Sequence, residues 1–390
     1  MVTDLLRKHL YRPEALRVLL ADLLGRRHPV LPTSRHLAET AQWILRAQAA
    51  TRDHGVSGGY TFEDGWVASY PEVTGYIIPT LLTYAALVDR LDYEKAALAM
   101  AEWELTVQHA DGGFPGHFVD RAHPPVVFNT GQIIFGLLAA HEATGDLRFL
   151  QAARRAGAWL ATVQDGDGGW RRFDYRNAVH VYNTRTAWAL AELALITGER
   201  CFEEAAVRHL GWALSQQAAN GFFAHCAFSP DEEPFVHTIA YTTQGLLEAG
   251  LRLGRPDYVA AAELTCRVLL THLDADGQLP GTFDAKWRPT AFYSCVTGNA
   301  QMAVQWFRLA RVTGDRRFGD GARQAIRFLK SIHDCATSNP RIRGAVKGSH
   351  PIWGRYLFGS YPNWAAKFFM DALLMELADD GGHGLVVRCW

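Results

Sequence analysis

Two kinds of apolar segment alternate along the 390-residue chain. In the first kind, apolar residues recur at intervals of three and four among charged ones, as in 149–160, where Arg154 and Arg155 lie opposite the apolar stripe. This spacing predicts an amphipathic helix with one buried face. In the second kind, charged residues are nearly absent, as in 133–140. Such a segment predicts a helix that is buried on nearly all sides.

Two short sequence markers repeat with these segments at a period of roughly 53 to 60 residues. A Gln- and Gly-rich marker ends the amphipathic segments, and its copies lie at 108–114, 164–170, 217–222 and 274–279. A Thr-Gly-Asp type of turn ends the charge-poor segments, and its copies lie at 144–146, 197–199, 253–255 and 313–315. Each repeat therefore predicts one helical hairpin.

Six such hairpins fit the chain, and they start near residues 36, 94, 149, 202, 258 and 318. An open stack of hairpins would show polar faces on both helices, whereas this chain alternates exposed and fully buried helices. That alternation closes most simply into a double ring with the charge-poor helices inside. We predict an all-α (α/α)6 toroid over residues 36–390, with residues 1–35 as a helical extension packed on the ring.

The charge balance and the cysteines narrow the class of protein. Lys and Arg number 39 against 40 Asp and Glu, and a net charge of −1 gives no field to hold a nucleic acid. The N-terminal segment lacks the apolar core of a signal peptide, and the longest charge-free stretch, 122–141, contains prolines and polar residues. We therefore expect no membrane span and a cytoplasmic location. The scattered cysteines are expected to be reduced: Cys201, Cys226, Cys266, Cys295, Cys335 and Cys389.

No cofactor and no metal are expected from the motifs. The sequence contains no HExxH, no CxxC pair and no phosphate-binding glycine loop. His333, Asp334 and Cys335 are neighbours on one short stretch, which is a poor arrangement of ligands. The oligomeric state stays open.

In a ring of this kind, the loops from each outer helix to the next inner helix emerge on one face and surround the mouth. The N-termini of the inner helices also point there, with free backbone N–H groups. These loops are long and rich in polar and aromatic residues, whereas the Thr-Gly-Asp turns are short. We therefore expect the functional site at this mouth.

Carboxylates at the mouth favour a hydrolase. Glu72 follows Pro71 at the start of the first inner helix, where the helix dipole favours the ionised form that a base or nucleophile needs. Asp64, Asp174 or a histidine would then supply the acid of a glycoside hydrolysis. A helix-terminal acid or a loop salt bridge is the structural alternative for each of the three carboxylates.

A second set of residues favours proton abstraction. His180, Tyr182, His237 and Tyr241 are residue types that can remove the proton next to a uronate carboxylate. Arg185 would neutralise that carboxylate so that an enolate can form. This set predicts a lyase or an epimerase, and helix capping by the imidazoles is its structural alternative.

Aromatic, amide and cationic side chains at the mouth are predicted to bind a saccharide. Aromatic faces stack on sugar rings, and cations with helix N-termini attract acidic groups. Core packing is the rival explanation for the aromatic residues. The predicted binding set is Trp66, Tyr70, Tyr76, Asn129, Gln132, Asn183, Arg185, Asn299, His350, Trp353, Tyr361, Asn363, Trp364 and Lys367.

One repeat marker resembles a known motif. Residues 155–159, Gln164 and 168–170 resemble the Gln-Trp repeat of squalene and oxidosqualene cyclases, which are double rings of helices. In those families the motif ties an outer helix to the next loop, so the resemblance implies the architecture. The DxDD-type acid motif of those cyclases does not occur here. A terpenoid cyclase-like enzyme, with an apolar cavity, is kept as an alternative.

A second resemblance covers nearly the whole chain. Segments 69–80, 182–185 and 361–369 resemble six-hairpin proteins encoded in bacterial exopolysaccharide clusters, which are similar in fold to six-hairpin glycosidases, uronate lyases and sugar epimerases. The resemblance implies an enzyme of polysaccharide metabolism that acts on a saccharide containing uronate. A glycoside hydrolase is the first expectation and a uronate lyase or C5-epimerase the second. A non-catalytic glycan-binding scaffold is a further alternative.

Overall fold

The computed structural model of the protein describes residues 11–381, 387 and 390. Helices dominate these residues, and strands are few and short. The helices are α1 (Pro13–Leu23), α2 (Thr33–Thr51), α3 (Pro71–Val88), α4 (Leu91–Val107), α5 (Val127–Thr144), α6 (Leu147–Thr162), α7 (Thr184–Thr197), α8 (Arg200–Ser215), α9 (Val236–Leu253), α10 (Pro256–Thr271), α11 (Val296–Thr313), α12 (Arg316–Ser331) and α13 (Asn363–Asp379).

Helices α2 to α13 form two concentric rings, which confirms the predicted all-α toroid. The inner ring consists of α3, α5, α7, α9, α11 and α13, and the outer ring of α2, α4, α6, α8, α10 and α12. Each inner helix packs on the next, and α13 packs on α3 and so closes the ring. The sequence accounts for this division, because residues 127–140 of α5 are all buried whereas Arg154 and Arg155 of α6 are exposed.

The Thr-Gly-Asp turns join each inner helix to the following outer helix. Gly145 has a φ of 73° and accepts the left-handed conformation that ends α5. Asp146 then caps α6, because its carboxylate accepts a hydrogen bond from the backbone N–H of Arg148 at 2.8 Å. The same arrangement recurs at Gly314 and Asp315.

The Gln- and Gly-rich markers tie each outer helix to the next one. Gln164 follows α6, and its side-chain amide donates to the carbonyl of Ala205 in α8 at 2.9 Å. Gly168 has a φ of 90° and packs so closely on α8 that a Cβ atom would lie 2.5 Å from the carbonyl oxygen of Arg208. Gly344 makes the equivalent approach to the carbonyl of Glu39 in α2. The tie therefore also spans the joint between the last and the first hairpin.

Two small antiparallel sheets hold the loops together. Strands β1 (Gly59–Thr61), β2 (Gly65–Trp66) and β5 (Ser360–Pro362) pair in the order β2-β1-β5, with Tyr60 opposite Tyr361. Strand β3 (Ser294–Cys295) pairs with β4 (Ser349–His350). Because β1 follows α2 and β5 precedes α13, the first sheet joins the two ends of the ring.

Helix α1 packs on the long loop between α12 and α13. Its Asp22 carboxylate accepts hydrogen bonds from Lys347 at 2.5 Å and from the backbone N–H of Ile352 at 2.8 Å. The division into an extension of residues 1–35 and a ring of 36–390 stays a prediction, and residues 1–10 lie outside the described residues.

Two further features concern the described part of the chain as a whole. Among residues 11–381, no helix combines the length and the hydropathy that crossing a bilayer requires. The described cysteines, 201, 226, 266, 295 and 335, are free thiols, and Cys389 lies outside the described residues.

Candidate functional site

A cavity of about 680 Å³ opens on the face where the inner helices begin. Inner helices α3, α5, α9 and α13 and the loops at 116–126 and 172–177 contribute to its wall. Eight residues of the predicted site line it: Tyr70, Glu72, Asn129, Asp174, Tyr182, His237, Tyr241 and Trp364. The mouth of the ring therefore brings together acids, a histidine and aromatic rings from distant parts of the chain.

Glu72 lies in the first turn of α3 and is only 9% exposed. Its Oε2 accepts a hydrogen bond from the hydroxyl of Tyr70 at 2.8 Å. Burial raises the pKa of Glu72 to about 7, although the bond from Tyr70 and the charge of Arg185 both act to lower it. Desolvation thus outweighs these two effects, and both protonation states of Glu72 are populated near neutral pH.

Asp174 is the second acid of the cavity and stands in the loop before α7. Its carboxylate accepts hydrogen bonds from the backbone N–H of Tyr175 at 2.8 Å and from the side-chain amide of Asn183 at 2.5 Å. Burial raises the pKa of Asp174 to about 7 as well. Two carboxyl groups that titrate near neutrality therefore share one cavity, and Asn183 holds one of them in place.

His237 supplies an unprotonated nitrogen to the same cavity. Its Nδ1 lies 2.8 Å from the side-chain oxygen of Gln301, so Nδ1 carries the proton and Nε2 does not. Burial lowers the pKa of His237 to about 3, which keeps the ring neutral. The ring of Tyr241 lies 4.3 Å away, centre to centre. This pair has the chemistry that proton abstraction needs.

Arg185 lies fully buried beneath the cavity. Its Nε donates to Gln132 at 2.6 Å and its Nη1 to Gln244 at 2.5 Å, while its Nη2 has no hydrogen-bond partner. Within the described part of the chain, no carboxylate forms an ion pair with it. Four aromatic rings lie within 5.4 Å of the guanidinium carbon: Phe135, Trp188, Tyr241 and Phe368. A positive charge thus remains uncompensated under the site.

Other polar atoms around this arginine are also unpaired or weakly paired. Among the described residues, the side-chain nitrogen of Gln132 is buried without a hydrogen-bond partner, and the buried hydroxyls of Tyr76 and Tyr241 interact only weakly with each other. Unpaired buried polar atoms are costly, so a native protein normally satisfies them with water or a ligand. Their grouping around Arg185 indicates a polar floor for a bound molecule.

Lys367 is buried under the same floor but differs from Arg185 in its partners. Its ammonium donates to Asp371 at 2.5 Å and to the backbone oxygen of Trp390, and Asp371 also accepts from Thr80 at 2.6 Å. Lys367 does not line the cavity. Its charge is neutralised inside the ring. The sequence analysis had expected Lys367 to bind the saccharide, but the structure places it away from the cavity.

The structure places His180 outside the cavity, in a neighbouring cleft. Its two ring nitrogens lie 2.9 Å from the carbonyl of Tyr175 and 3.1 Å from that of Ala227. Both nitrogens therefore face backbone carbonyls and not the cavity, so neither is positioned to take a proton from a molecule bound there. The imidazole stacks on Tyr182 at 4.6 Å and supports that cavity residue.

The first sheet draws two other predicted residues away from the cavity. Asp64 is exposed at the turn between β1 and β2, within 3.3 Å of the hydroxyl of Thr61. Trp66 of β2 packs its ring on Trp43 at 5.2 Å. Neither residue lines the cavity, because Asp64 faces solvent and Trp66 packs against α2.

The remaining predicted binding residues have structural contacts instead. Asn299 accepts from the backbone N–H of Leu279, and Asn363 donates to the carbonyl of Ser57. The other three lie along the loop before α13: His350 lies 2.5 Å from Arg27, Tyr361 packs on Phe62, and Trp353 packs half-buried on the core.

Several lining residues were missed by the sequence analysis. The aromatic walls also include Phe128, Phe228 and Tyr356, and the rim carries His117, His123, Arg172 and Arg176. These residues lie mostly in loops, where the contrast between charge-poor and charged helices gives no signal. Of these residues, Phe128 could have been predicted, because it lies next to Asn129 in the first turn of an inner helix.

Comparisons with known proteins agree with this architecture. The sequence profile of the squalene-hopene cyclase C-terminal domain matches residues 124–246, about a third of the chain. A comparison with curated protein sequences found no match. The resemblance of the repeat to squalene cyclases is thereby confirmed as a similarity over that segment.

Solved structures match over most of the chain. An unsaturated glucuronyl hydrolase specific for heparin superposes with a TM-score of 0.73 at 14% identity, over 89% of this chain and 97% of the other. Cellobiose 2-epimerase from Bacillus thermoamylovorans gives 0.68 at 10% identity, over 92% and 98%. A glycosyl hydrolase of family 88 from Bacteroides vulgatus gives 0.65 at 11% identity, over 89% and 99%. The chain shares the six-hairpin fold of these proteins.

Proposed function

We propose that the protein is a carbohydrate-active enzyme that hydrolyses an acidic saccharide, with Glu72 and Asp174 as its proton-transfer groups. The observation that carries this proposal is the pair of buried carboxyls, both with a pKa of about 7, in one aromatic-walled cavity. Such a pair can hold one protonated and one ionised member at neutral pH, as glycoside hydrolysis requires. The occurrence of saccharide-acting enzymes among the structures with this fold supports the same class.

The surroundings of the two acids favour different roles. The hydroxyl of Tyr70 and the charge of Arg185 favour ionised Glu72, so Glu72 is assigned as the base or nucleophile. No cation contributes to the pKa of Asp174, which is assigned as the acid. In hydrolysis the proton of Asp174 passes to the leaving oxygen, and Glu72 removes a proton from water or attacks the sugar directly.

The substrate class follows from the charges around the cavity. Arg185 supplies positive potential from below, and Arg172 and Arg176 lie on the rim. The aromatic walls offer flat faces for sugar rings. A uronate-containing oligosaccharide combines such rings with a carboxylate that these cations attract. We place its turnover in polysaccharide metabolism and, since the described cysteines are free, in the cytoplasm.

A uronate lyase or epimerase is the second candidate, and a specific observation favours it. Neutral His237 lies beside Tyr241, whose hydroxyl is near that of Tyr76 and whose ring contacts the guanidinium of Arg185. This arrangement could remove the proton next to a carboxylate and stabilise the resulting enolate. Turnover by a lyase or epimerase would depend on His237 and Tyr241, whereas turnover by the hydrolase would depend on Glu72 and Asp174.

The test is a product assay on a panel of saturated and unsaturated uronate oligosaccharides. A hydrolase gives new reducing ends, a lyase gives a product that absorbs in the near ultraviolet, and an epimerase incorporates solvent deuterium. We expect new reducing ends, with Glu72→Gln and Asp174→Asn each slower by about a hundredfold. Asp64→Asn is the matched control and should keep full activity.

Three results would overturn the hydrolase assignment. A near-ultraviolet product or deuterium uptake that depends on His237 would favour the lyase or epimerase. Saccharide binding in calorimetry without any product in the assay would indicate a non-catalytic glycan-binding scaffold. Turnover of an isoprenoid substrate, with no affinity for any saccharide of the panel, would support a terpenoid cyclase-like enzyme.

A further inference from the structure

A compact cluster of metal-binding residue types lies where the last and first outer helices meet. His36 is in the first turn of α2, and His333 and Cys335 follow the end of α12. The Nδ1 atoms of the two histidines are 2.8 Å apart. The Sγ of Cys335 lies 3.5 Å from Nδ1 of His36 and 3.4 Å from Nδ1 of His333. All three side chains are buried, and this cluster is separate from the saccharide cavity.

These distances resemble the edges of a tetrahedral zinc site. With Zn–N bonds near 2.05 Å and a Zn–S bond near 2.3 Å, two nitrogens should be about 3.3 Å apart and a nitrogen and a sulfur about 3.6 Å. The two N–S distances match within about 0.2 Å, and the N–N distance has to widen by about 0.5 Å. Rotation of one imidazole is enough for that change.

We propose that His36, His333 and Cys335 bind a zinc ion through Nδ1, Nδ1 and Sγ. Imidazole and thiolate are the ligands that zinc prefers, and carboxylate-selective metals such as magnesium do not suit this set. Water completes the coordination. The three ligands come from the two ends of the ring, since His36 and His333 are 297 positions apart, and spacing within the sequence gives no sign of them.

The hydrogen bonds around the cluster indicate what the metal replaces. The backbone N–H of Leu31 lies 3.2 Å from Nε2 of His36, so without metal the proton of this ring is on Nδ1 and points to His333. Zinc takes the position of that proton at Nδ1, and the thiol of Cys335 releases its proton to solvent. The proton of His36 then moves to Nε2, and the contact with Leu31 must open. His333 needs no such change, because its Nε2 already lies 3.3 Å from the hydroxyl of Thr40.

The position of the cluster gives the metal a structural role. His333 takes the place of the repeat glutamine, because Gln108 and Gln164 likewise follow outer helices and bond to the next one. At this joint the partner is α2, which begins the ring. A zinc ion would therefore fasten the first outer helix to the last and resist opening of the toroid.

Cobalt titration of the full-length protein, freed of metal by a chelator, tests the proposal directly. We expect one equivalent of Co²⁺ to produce a thiolate-to-cobalt absorption band in the near ultraviolet, which zinc then abolishes by displacement. Zinc should also raise the melting temperature. Cys335→Ser should lose the band and the thermal shift, whereas Cys266→Ser, at another buried thiol, should keep both.

A second variant separates metal binding from folding. His333→Gln restores the glutamine of the repeat, so it should fold with a melting temperature near that of the metal-free protein and bind no cobalt. Absence of the band in the wild-type protein, or its persistence in Cys335→Ser, would overturn the zinc site. Neither result bears on the saccharide cavity, which contains none of these residues.

Discussion

Replacement of Glu72 by Gln should stabilise the protein at alkaline pH. Glutamine has nearly the shape of the protonated side chain, and its oxygen can still accept the hydrogen bond that Tyr70 now donates to Glu72. What the substitution removes is the buried negative charge. Because the native pKa of Glu72 is about 7 and the reference value is 4.5, the native state holds this proton more tightly than the unfolded state does.

The size of the effect follows from the two pKa values. A difference of 7 − 4.5 = 2.5 pKa units corresponds to about 3 kcal/mol. The contribution of Glu72 to stability is fully present below pH 4.5, falls as the pH rises toward 7, and is lost above it. Wild type and Glu72→Gln should therefore unfold with similar free energies near pH 4.5 and differ by about 3 kcal/mol at pH 8.5.

Urea denaturation at these two pH values, followed by tryptophan fluorescence, measures the difference without any substrate. Asp64→Asn, at an exposed turn, is the control, and its effect should stay within about 0.5 kcal/mol at both pH values. A Glu72→Gln protein that is less stable than wild type at pH 8.5 would refute the reasoning. Glu72 would then act as an ionised structural group held by the helix dipole.

Three further predictions concern the ring and the reaction. Gly168→Ala should cost about 2 to 4 kcal/mol of unfolding free energy in urea, because a Cβ would lie 2.5 Å from a carbonyl of the next outer helix, whereas Gly198→Ala, with a φ of 73° and open space around it, should cost about 1 kcal/mol. Lys367→Met should destabilise by about 3 to 5 kcal/mol in the same measurement, because it leaves Asp371 buried without its partner, and the double variant Lys367→Met/Asp371→Leu should recover part of that loss. The rate of the proposed hydrolysis should peak near pH 7, because the two cavity carboxyls must be in opposite protonation states, and a rate that rises steadily from pH 5 to pH 9 would contradict this mechanism.

The fold could be predicted from the sequence because the distribution of charged residues indicates whether each helix belongs to the inner or the outer ring. Residues 133–140 carry no charge and are buried in the inner ring. The neighbouring helix carries Arg154 and Arg155, which are exposed, so it lies in the outer ring. The repeat markers supplied the count of hairpins. The small sheets were not predicted, since strands of two or three residues are too short to show an alternating pattern.

The inner-helix part of the site could be predicted from helix periodicity, whereas Asp174 was found as an acid in a polar loop. Glu72 and His237 were found because a polar residue in the first turn of a charge-poor inner helix points to the ring axis. Tyr76 and Gln132 lie one turn further along their helices and do not line the cavity, whereas Tyr241, at the same position of α9, does. Loop residues such as Asp64 could not be oriented, because pairing with β5 and contact with α1 decide where that loop points.

The two buried cations have different partners, and only Arg185 gives the floor of the cavity a net positive potential. Lys367 is matched by Asp371, so the pair contributes little net potential at the mouth. Arg185 is held by two glutamine oxygens, which accept hydrogen bonds from its Nε and Nη1 without cancelling its charge. A carboxylate in place of either glutamine would neutralise Arg185 and remove the field that lowers the pKa of Glu72 and attracts an anionic ligand. The amide partners of Arg185 are therefore consistent with a site that binds an anionic substrate.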